Sequence, residues 1–247
     1  MQAIERAFAA LRAVRATDGG AGVSEIARTS GLPKSTVSRL LTALEEVGAV
    51  ERVEPKGGYV IGPGLVTLVS GGTGVGSLRE AARPYLRELT ERLGESSGLT
   101  VADGGDALYV DHVSSDGSVR TRDWTGTRFP LHTLAGGLAL LMTWSDRSVD
   151  RIADLGLESF STETVTTRRG LKTKLSKARR DGYVWTMGDF DLEINGVAAP
   201  VRDERGYAIG AVSVYGPSYR FPGDRDADAI GESVRETSRL VQDHTQG

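Results

Sequence analysis

The chain has 247 residues, 39% hydrophobic and 26% charged, and a formal net charge of −3. That composition fills one large or two modest cores, and it excludes wholesale disorder and a polybasic tail. No apolar run approaches the ~20 residues of a membrane span, and no secretory-signal pattern is present. Cysteine is absent, which removes disulfides, thiolate metal sites and a cysteine nucleophile and fits a reducing cytoplasm. His112, His132 and His244 are too scattered to predict a metal cluster.

The first predicted element is a helix over residues 2–16, with Ile4, Ala7, Phe8, Leu11 and Val14 at helical spacing. This apolar stripe is wider than a small domain can cover, so part of it should pack on another subunit. A short helix from Val23 to Ser30 follows, then a turn at Gly31-Leu32-Pro33. The third helix carries Val37, Leu40, Leu41, Leu44 and Val47 inward. Lys34, Ser35, Thr36, Ser38, Arg39 and Thr42 then point outward. The period next falls to two: Val50–Val53 and Tyr59–Ile61 predict a hairpin whose turn holds Lys56 and whose first strand holds Arg52. Two packed helices with a solvated polar face are the ordinary explanation of residues 23–47. The hairpin after them tips the reading to a winged helix-turn-helix, with Lys34, Ser35, Thr36, Ser38, Arg39, Thr42, Arg52 and Lys56 as candidate contacts to double-stranded DNA. The first 72 residues carry only a net +1, so these few cations, rather than bulk charge, must do the work.

Residues 65–76 read as a linker with a frayed helix, because glycines 71, 72, 74 and 76 lower helix stability by roughly 1 kcal/mol each. The expected division is 1–62 for the DNA-binding domain, 63–76 for the linker and 77–247 for a second domain. In that domain Ser77–Leu93 is helical, with Pro84 expected to kink it or delay its start. Strands at Leu99–Ala102 and Leu108–Val113 flank the turn Asp103-Gly104-Gly105-Asp106. Helices are expected at 134–144, 145–155, 163–181 and 226–243, and strands at 183–187, 196–202 and 208–215. Hairpin strands with helices around them predict an α+β fold with an antiparallel sheet.

The order of these parts resembles a known family. VSEIARTSGLPKSTVSRLLTALEEVGAVERVEPKGGYVIGPGLVTL (23–68) is similar to the DNA-binding domain of IclR-type bacterial transcription regulators. The likeness continues through PLHTLAGGLALL (130–141), GYVWTMGDFDLEINGVAAPVRDERG (182–206) and AIGAVSVYGPSYRF (208–221). The resemblance implies a GAF/PAS-like effector domain, homodimers that pair into tetramers, a pseudo-palindromic operator, and repression of a neighbouring catabolic operon. It also implies an effector pocket in which backbone groups at Ala135 and Gly136 hold a carboxylate. Where relatives have an Asp, a Cys and two serines, this chain has Thr186, Gly196, Ser213 and Tyr215, and Leu138 replaces the usual lysine. Those exchanges empty volume at Gly196 and add a ring at Tyr215. With Trp124, Phe129, Leu131 and Trp185 as candidate walls, they predict a flat, partly apolar small-molecule effector with one polar head. The aromatic residues could equally be plain core, and His132 a structural hydrogen-bonder.

No G-x-S-x-G, H-E-x-x-H, Walker or S-x-x-K motif occurs, and the Gly71–Gly76 run fails the dinucleotide fingerprint, so neither catalytic residues nor a cofactor are expected. Asp189, Asp191 and Glu193 form an acidic cluster that reads first as a solvated loop and only second as a cation site. The competing functional readings are a small-molecule-transforming enzyme with an autoregulatory DNA-binding domain, and a DNA-organising protein without an effector.

Overall fold

The computed structural model describes residues 3–17, 20–53, 57–65, 73–115 and 122–246. The chain divides into two compact units, Met1–Val69 and Ser70–Gly247.

In the first unit, α1 (Ala3–Arg15), α2 (Val23–Ser30) and α3 (Lys34–Glu46) precede a two-stranded antiparallel sheet of β1 (Val50–Val53) and β2 (Gly58–Ile61). Leu11, Val14, Ile26, Leu32, Val37, Leu41, Val50 and Tyr59 form its core. Gly31 closes α2 in the left-handed region at φ 69°, a conformation that costs a side chain-bearing residue energy and turns the chain directly into α3. The inward set expected for α3 holds except at its end. Val47 lies past the last helical turn and is 71% exposed. On α1, Ile4 and Phe8 are 70% and 57% exposed, while Ala10, Leu11, Ala13 and Val14 are buried.

The second unit opens with α4 (Thr73–Leu93). The helix neither starts late nor stops at Pro84, which sits inside it on the exposed side. Burial of Leu78, Ala82, Leu86 and Leu89 on the opposite side offsets the hydrogen bond that proline cannot donate. Six antiparallel strands follow: β3 (Ser96–Asp103), β4 (Asp106–Val113), β5 (Arg128–Pro130), β6 (Val184–Met187), β7 (Ile194–Arg202) and β8 (Ala208–Pro217), in the spatial order β5-β4-β3-β8-β7-β6. The edge strand β5 has no counterpart in the sequence reading, since three residues ending in proline carry no periodicity. The basic helix also begins later than residue 163. Thr167 caps α7 (Arg168–Asp181) by accepting from the Gly170 N–H.

Helices cover both faces of the sheet. α5 (Ala135–Leu141), α6 (Asp146–Asp154) and α7 pack on one face over Ala107, Val184, Ala198 and Ala211. α4 and α8 (Ala227–Gln246) pack on the other over Leu99, Val197, Ala199, Val212 and Val214. The alternation along β7, with Ala198 to one side and Val197 and Ala199 to the other, is the period-two signature of a strand buried on both faces.

Candidate functional site

Two separate sites emerge, one in each unit. On α3 the side chains of Lys34, Ser35, Ser38, Arg39 and Thr42 are exposed, and Thr36 is half-buried. They lie opposite Val37 and Leu41, which are fully buried, so core packing fixes the rotation that presents the polar face. The Thr42 hydroxyl donates back to the Ser38 carbonyl at 3.1 Å, which occupies its proton and leaves its oxygen to accept. On the wing, Arg52 is exposed and stands opposite Tyr59 in the register, its guanidinium 5.6 Å from the ring centre. That contact stiffens a long side chain at the edge of the hairpin. Lys56 lies outside the described residues.

The second site is built on the sheet. Thr186 pairs with Gly196 and Gly196 with Tyr215, so these residues form one row across β6, β7 and β8. Ser213 stands two residues from Tyr215 on the same face, opposite Gly98 of β3, which in turn lies opposite His112 of β4. A bulge in β4 makes this row possible. Leu99 pairs with Asp111 but Thr100 pairs with Tyr109, so Val110 is the extra residue and the alternation reverses there. Tyr109 and His112, three apart, therefore share the face of Tyr215. Gly98 supplies the space, since a Cβ there would lie 3.1 Å from the Tyr109 ring and 3.3 Å from the Tyr215 ring.

A small cavity results, lined by Tyr109, Trp124, Thr133, Leu134 and Ala135. Thr186, Phe190, Asp191, Ile194, Gly196 and the Ser213–Tyr215 segment complete the lining. The aromatic side chains of Tyr109, Trp124, Phe129 and Tyr215, with Leu134, make a buried hydrophobic cluster beside it. Tyr109 meets Trp124, Phe129 and Tyr215 edge-on at 5.6, 6.0 and 5.8 Å. Trp124 and Tyr215 are stacked, 5.2 Å apart and 19° from parallel. The cavity lining thus combines the Tyr109, Trp124 and Tyr215 rings with the side chains of Thr133, Thr186 and Ser213, and Ser213 stands beside the Tyr109 phenol.

Tyr215 is held at its far end by His112, its phenol oxygen 2.6 Å from Nδ1, while Nε2 lies 2.8 Å from the Ser114 hydroxyl. Burial raises the Tyr215 pKa well above the usual phenol range, and the neighbouring Tyr109, Asp123 and Asp111 add to it. Burial also lowers the His112 pKa, against the pull of Asp123 and Asp111. Both groups therefore rest neutral. The arrangement that leaves no buried donor idle has the phenol donating to Nδ1 and Nε2–H donating to Ser114. Burial likewise raises the Tyr109 phenol.

The other candidates fall elsewhere. Leu131 and Leu138 are fully buried in the core under α5. Gly136 lies one residue inside α5, against the Thr100 hydroxyl, rather than on the cavity wall. Phe129 meets Trp124 edge-on at 5.5 Å from behind the cavity lining. Trp185 stands against Phe221, 5.2 Å away, on the opposite face of the sheet. The His132 ring bonds the Glu158 carbonyl at 2.9 Å. Asp189 of the acidic cluster is buried, ion-paired with Lys174, and accepts the Met187 N–H at 2.8 Å. Among the described residues no group of three or more His, Asp or Glu is arranged to hold a metal. No helix among them is long and apolar enough to cross a membrane. Tyr109, His112, Phe190 and Ile194 were missed by the sequence reading. The first two needed the bulge, and the last two sit in what reads as a polar loop.

Comparison with known proteins agrees with this two-part layout. Residues 3–54 match the IclR helix-turn-helix domain, and residues 74–243 match the bacterial transcriptional regulator IclR C-terminal domain. The HTH-type transcriptional repressor AllR of Klebsiella pneumoniae is 31% identical over 97% of this chain and 88% of its own length. The HTH-type transcriptional regulator Rv1719 of Mycobacterium tuberculosis is 33% identical over 97% and 91%. Among solved structures, the Thermotoga maritima IclR covers 97% of each chain at 25% identity and a TM-score of 0.65. An IclR homologue from Microbacterium hydrocarbonoxydans, crystallised with 4-hydroxybenzoate, covers 98% of each at 25% and 0.63.

Proposed function

This chain belongs to the IclR family of bacterial transcriptional regulators and is a ligand-responsive DNA-binding regulator; on that premise we propose that it is a repressor released from its operator by a small aromatic acid. The observation that carries the reading is the pairing of an exposed Lys/Ser/Arg face on α3 with a separate sheet-bound cavity that joins ring faces to hydroxyls. The crystallised relative with 4-hydroxybenzoate supports that ligand class.

In this reading, residues 1–62 bind DNA, 63–76 link, and 77–247 sense and oligomerise. Arg39 reads a base edge, and Lys34, Ser35, Thr36, Ser38 and Thr42 contact phosphates and neighbouring bases. Arg52 and Lys56 grip the flanking backbone from the wing. The effector's ring lies toward Tyr215 and Trp124, with its polar head toward Ser213, Thr186 and the start of α5. The exposed Ile4 and Phe8 cover one another between two copies of α1, giving a dimer that places two recognition helices on a pseudo-palindrome and pairs further into a tetramer. Sedimentation of the intact chain as a monomer at micromolar concentration would refute that assembly. The protein acts in the cytoplasm on a neighbouring catabolic operon and leaves its effector chemically unchanged.

The test combines calorimetry with operator release. Aromatic acids, 4-hydroxybenzoate first, are expected to bind and to free the DNA, while pyruvate-sized acids do neither. Binding confined to the small aliphatic acids overturns the ligand class, and conversion of a bound acid to product overturns the regulator-only reading.

A further inference from the structure

The cavity in the second unit is almost closed. Its free centre measures only about 20 Å³, room for about one water and for no organic effector. One side chain accounts for this. The Trp124 indole lies flat on the Tyr215 ring, 5.2 Å away and 19° from parallel, while the Tyr109 and Phe129 rings stand steeply inclined to it at 5.6 and 5.5 Å. A planar ring stacked on one aromatic side chain and flanked by two inclined ones is the geometry in which a protein binds an aromatic ligand. Beneath it, Tyr215 lies across Gly98, where a Cβ would crowd the ring at 3.3 Å.

Trp124 also differs from its neighbours in how it is held. Tyr109, Phe129 and Tyr215 belong to strands of the sheet. Trp124 belongs to a turn whose flanking Asp123 and Thr125 are exposed. The turn is anchored through its backbone: Thr127 N–H donates to the Trp124 carbonyl at 2.8 Å, and Gly126 N–H to the Tyr109 carbonyl at 2.8 Å. Side-chain rotation at Trp124 therefore breaks none of these bonds and uncovers a ring-sized slot continuous with the hydroxyls of Thr133, Thr186 and Ser213.

We propose that the Trp124 indole is a resident stand-in for ligand: it fills a subsite for one planar aromatic ring on the face of Tyr215, and an aromatic effector binds by replacing it. The subsite takes a flat, unsaturated ring of benzene to indole size, with a polar substituent directed to the hydroxyl-lined end. This rests on the reading of the second unit as an effector domain.

A fixed wall and a resident occupant predict opposite signs. Removing a wall weakens a ring ligand. Removing an occupant strengthens it, because apparent affinity scales with the fraction of molecules whose site is open. The probe is indole itself, titrated by calorimetry into the full-length chain. Trp124→Ala should bind indole at least tenfold more tightly than the unaltered protein, and indole should restore the melting temperature that the variant loses. Trp124→Leu keeps an apolar side chain in the cluster, guards against simple misfolding, and should show a smaller gain of the same sign. In the unaltered protein labelled with 5-fluorotryptophan, the three tryptophans give three fluorine signals, and bound indole should move the Trp124 signal toward its solvent-exposed position. Folded Trp124→Ala and Trp124→Leu that bind indole no better than the unaltered chain overturn the proposal, as does indole binding with the Trp124 signal unmoved. The effector reading fails separately, if no aromatic acid changes operator binding, because the indole measurements involve no DNA.

Discussion

Gly136 and Gly137 are adjacent in α5, yet alanine should be tolerated at one and not at the other. All seven residues of this helix are buried, so any displacement is felt by the core on both sides. A Cβ at Gly137 would lie 2.3 Å from the Leu131 carbonyl oxygen and 2.8 Å from its carbonyl carbon and Cα. These are backbone atoms that cannot rotate aside, so α5 must lift by about 1 Å to restore ordinary contact. A gap of 0.5–1 Å forfeits roughly a quarter to a half of each dispersion contact it opens, and overpacking against backbone belongs at the top of the usual range, about 3 kcal/mol. Alanine's better helix propensity returns about 1 kcal/mol, leaving a net loss of about 2. At Gly136 the nearest atom is the Thr100 hydroxyl oxygen, at 2.7 Å. That oxygen is the tip of a side chain that can turn aside, at the cost of its contact with the Tyr109 phenol. The remaining strain of about 1–2 kcal/mol is mostly offset by the same propensity gain. For a unit of this size 1 kcal/mol shifts Tm by about 2–4 °C. Gly137→Ala should therefore melt roughly 4–8 °C early by circular dichroism or calorimetry, and Gly136→Ala within about 4 °C of the unaltered protein. A Gly137→Ala variant melting within 2 °C of the parent, or a reversed order of the two, would refute the claim that backbone contact at Leu131 fixes the seat of α5.

Two further outcomes follow from the sites themselves. Arg39→Ala should weaken operator binding by about 1–3 kcal/mol and relax sequence preference at one position of each half-site; equal affinity for all single-base operator variants before and after the change, measured by competition, would show that Arg39 reads no base. The lowered His112 pKa means that the unfolded chain binds a proton more readily than the folded one between the folded pKa and the ordinary histidine value of 6.5. Its contribution to stability is thus fully present above 6.5 and is lost as the pH falls through that window toward the folded pKa. The melting temperature should drop more steeply between pH 7 and pH 5 in the parent than in His112→Gln, and parallel curves would remove His112 from the account.

The helix-turn-helix was legible because its signals are local. The apolar spacing of Val37 and Leu41, the glycine at position 31 and the hairpin after Gly48 each point to the same arrangement, and the outward set on α3 follows from the inward set by geometry alone. The sheet domain was legible as strands and helices but not as faces. Strict alternation from Leu108 would put Tyr109 and Asp111 on one side and His112 on the other. The extra residue at Val110 reverses this, sending Asp111 toward Arg79 and Arg83 of α4 and His112 toward Tyr215. No residue type in YVDHV marks that bulge, because it is set by which residues of β3 stand opposite, Leu99 against Asp111 and Thr100 against Tyr109. The row of Thr186, Gly196 and Tyr215 was named from family resemblance, yet nothing local showed what fills the space Gly196 leaves. The structure supplies that part: Gly98, unremarked in the sequence, lets Tyr215 lie across the sheet, and the ring so placed is the platform on which Trp124 sits. The exchanges at Gly196 and Tyr215 therefore shape the pocket through a residue on a third strand, and in the proposal above a ligand that suits this chain must match the flat slot on the Tyr215 face, which Gly98 makes room for and Trp124 occupies, rather than the three side chains that distinguish it from its relatives.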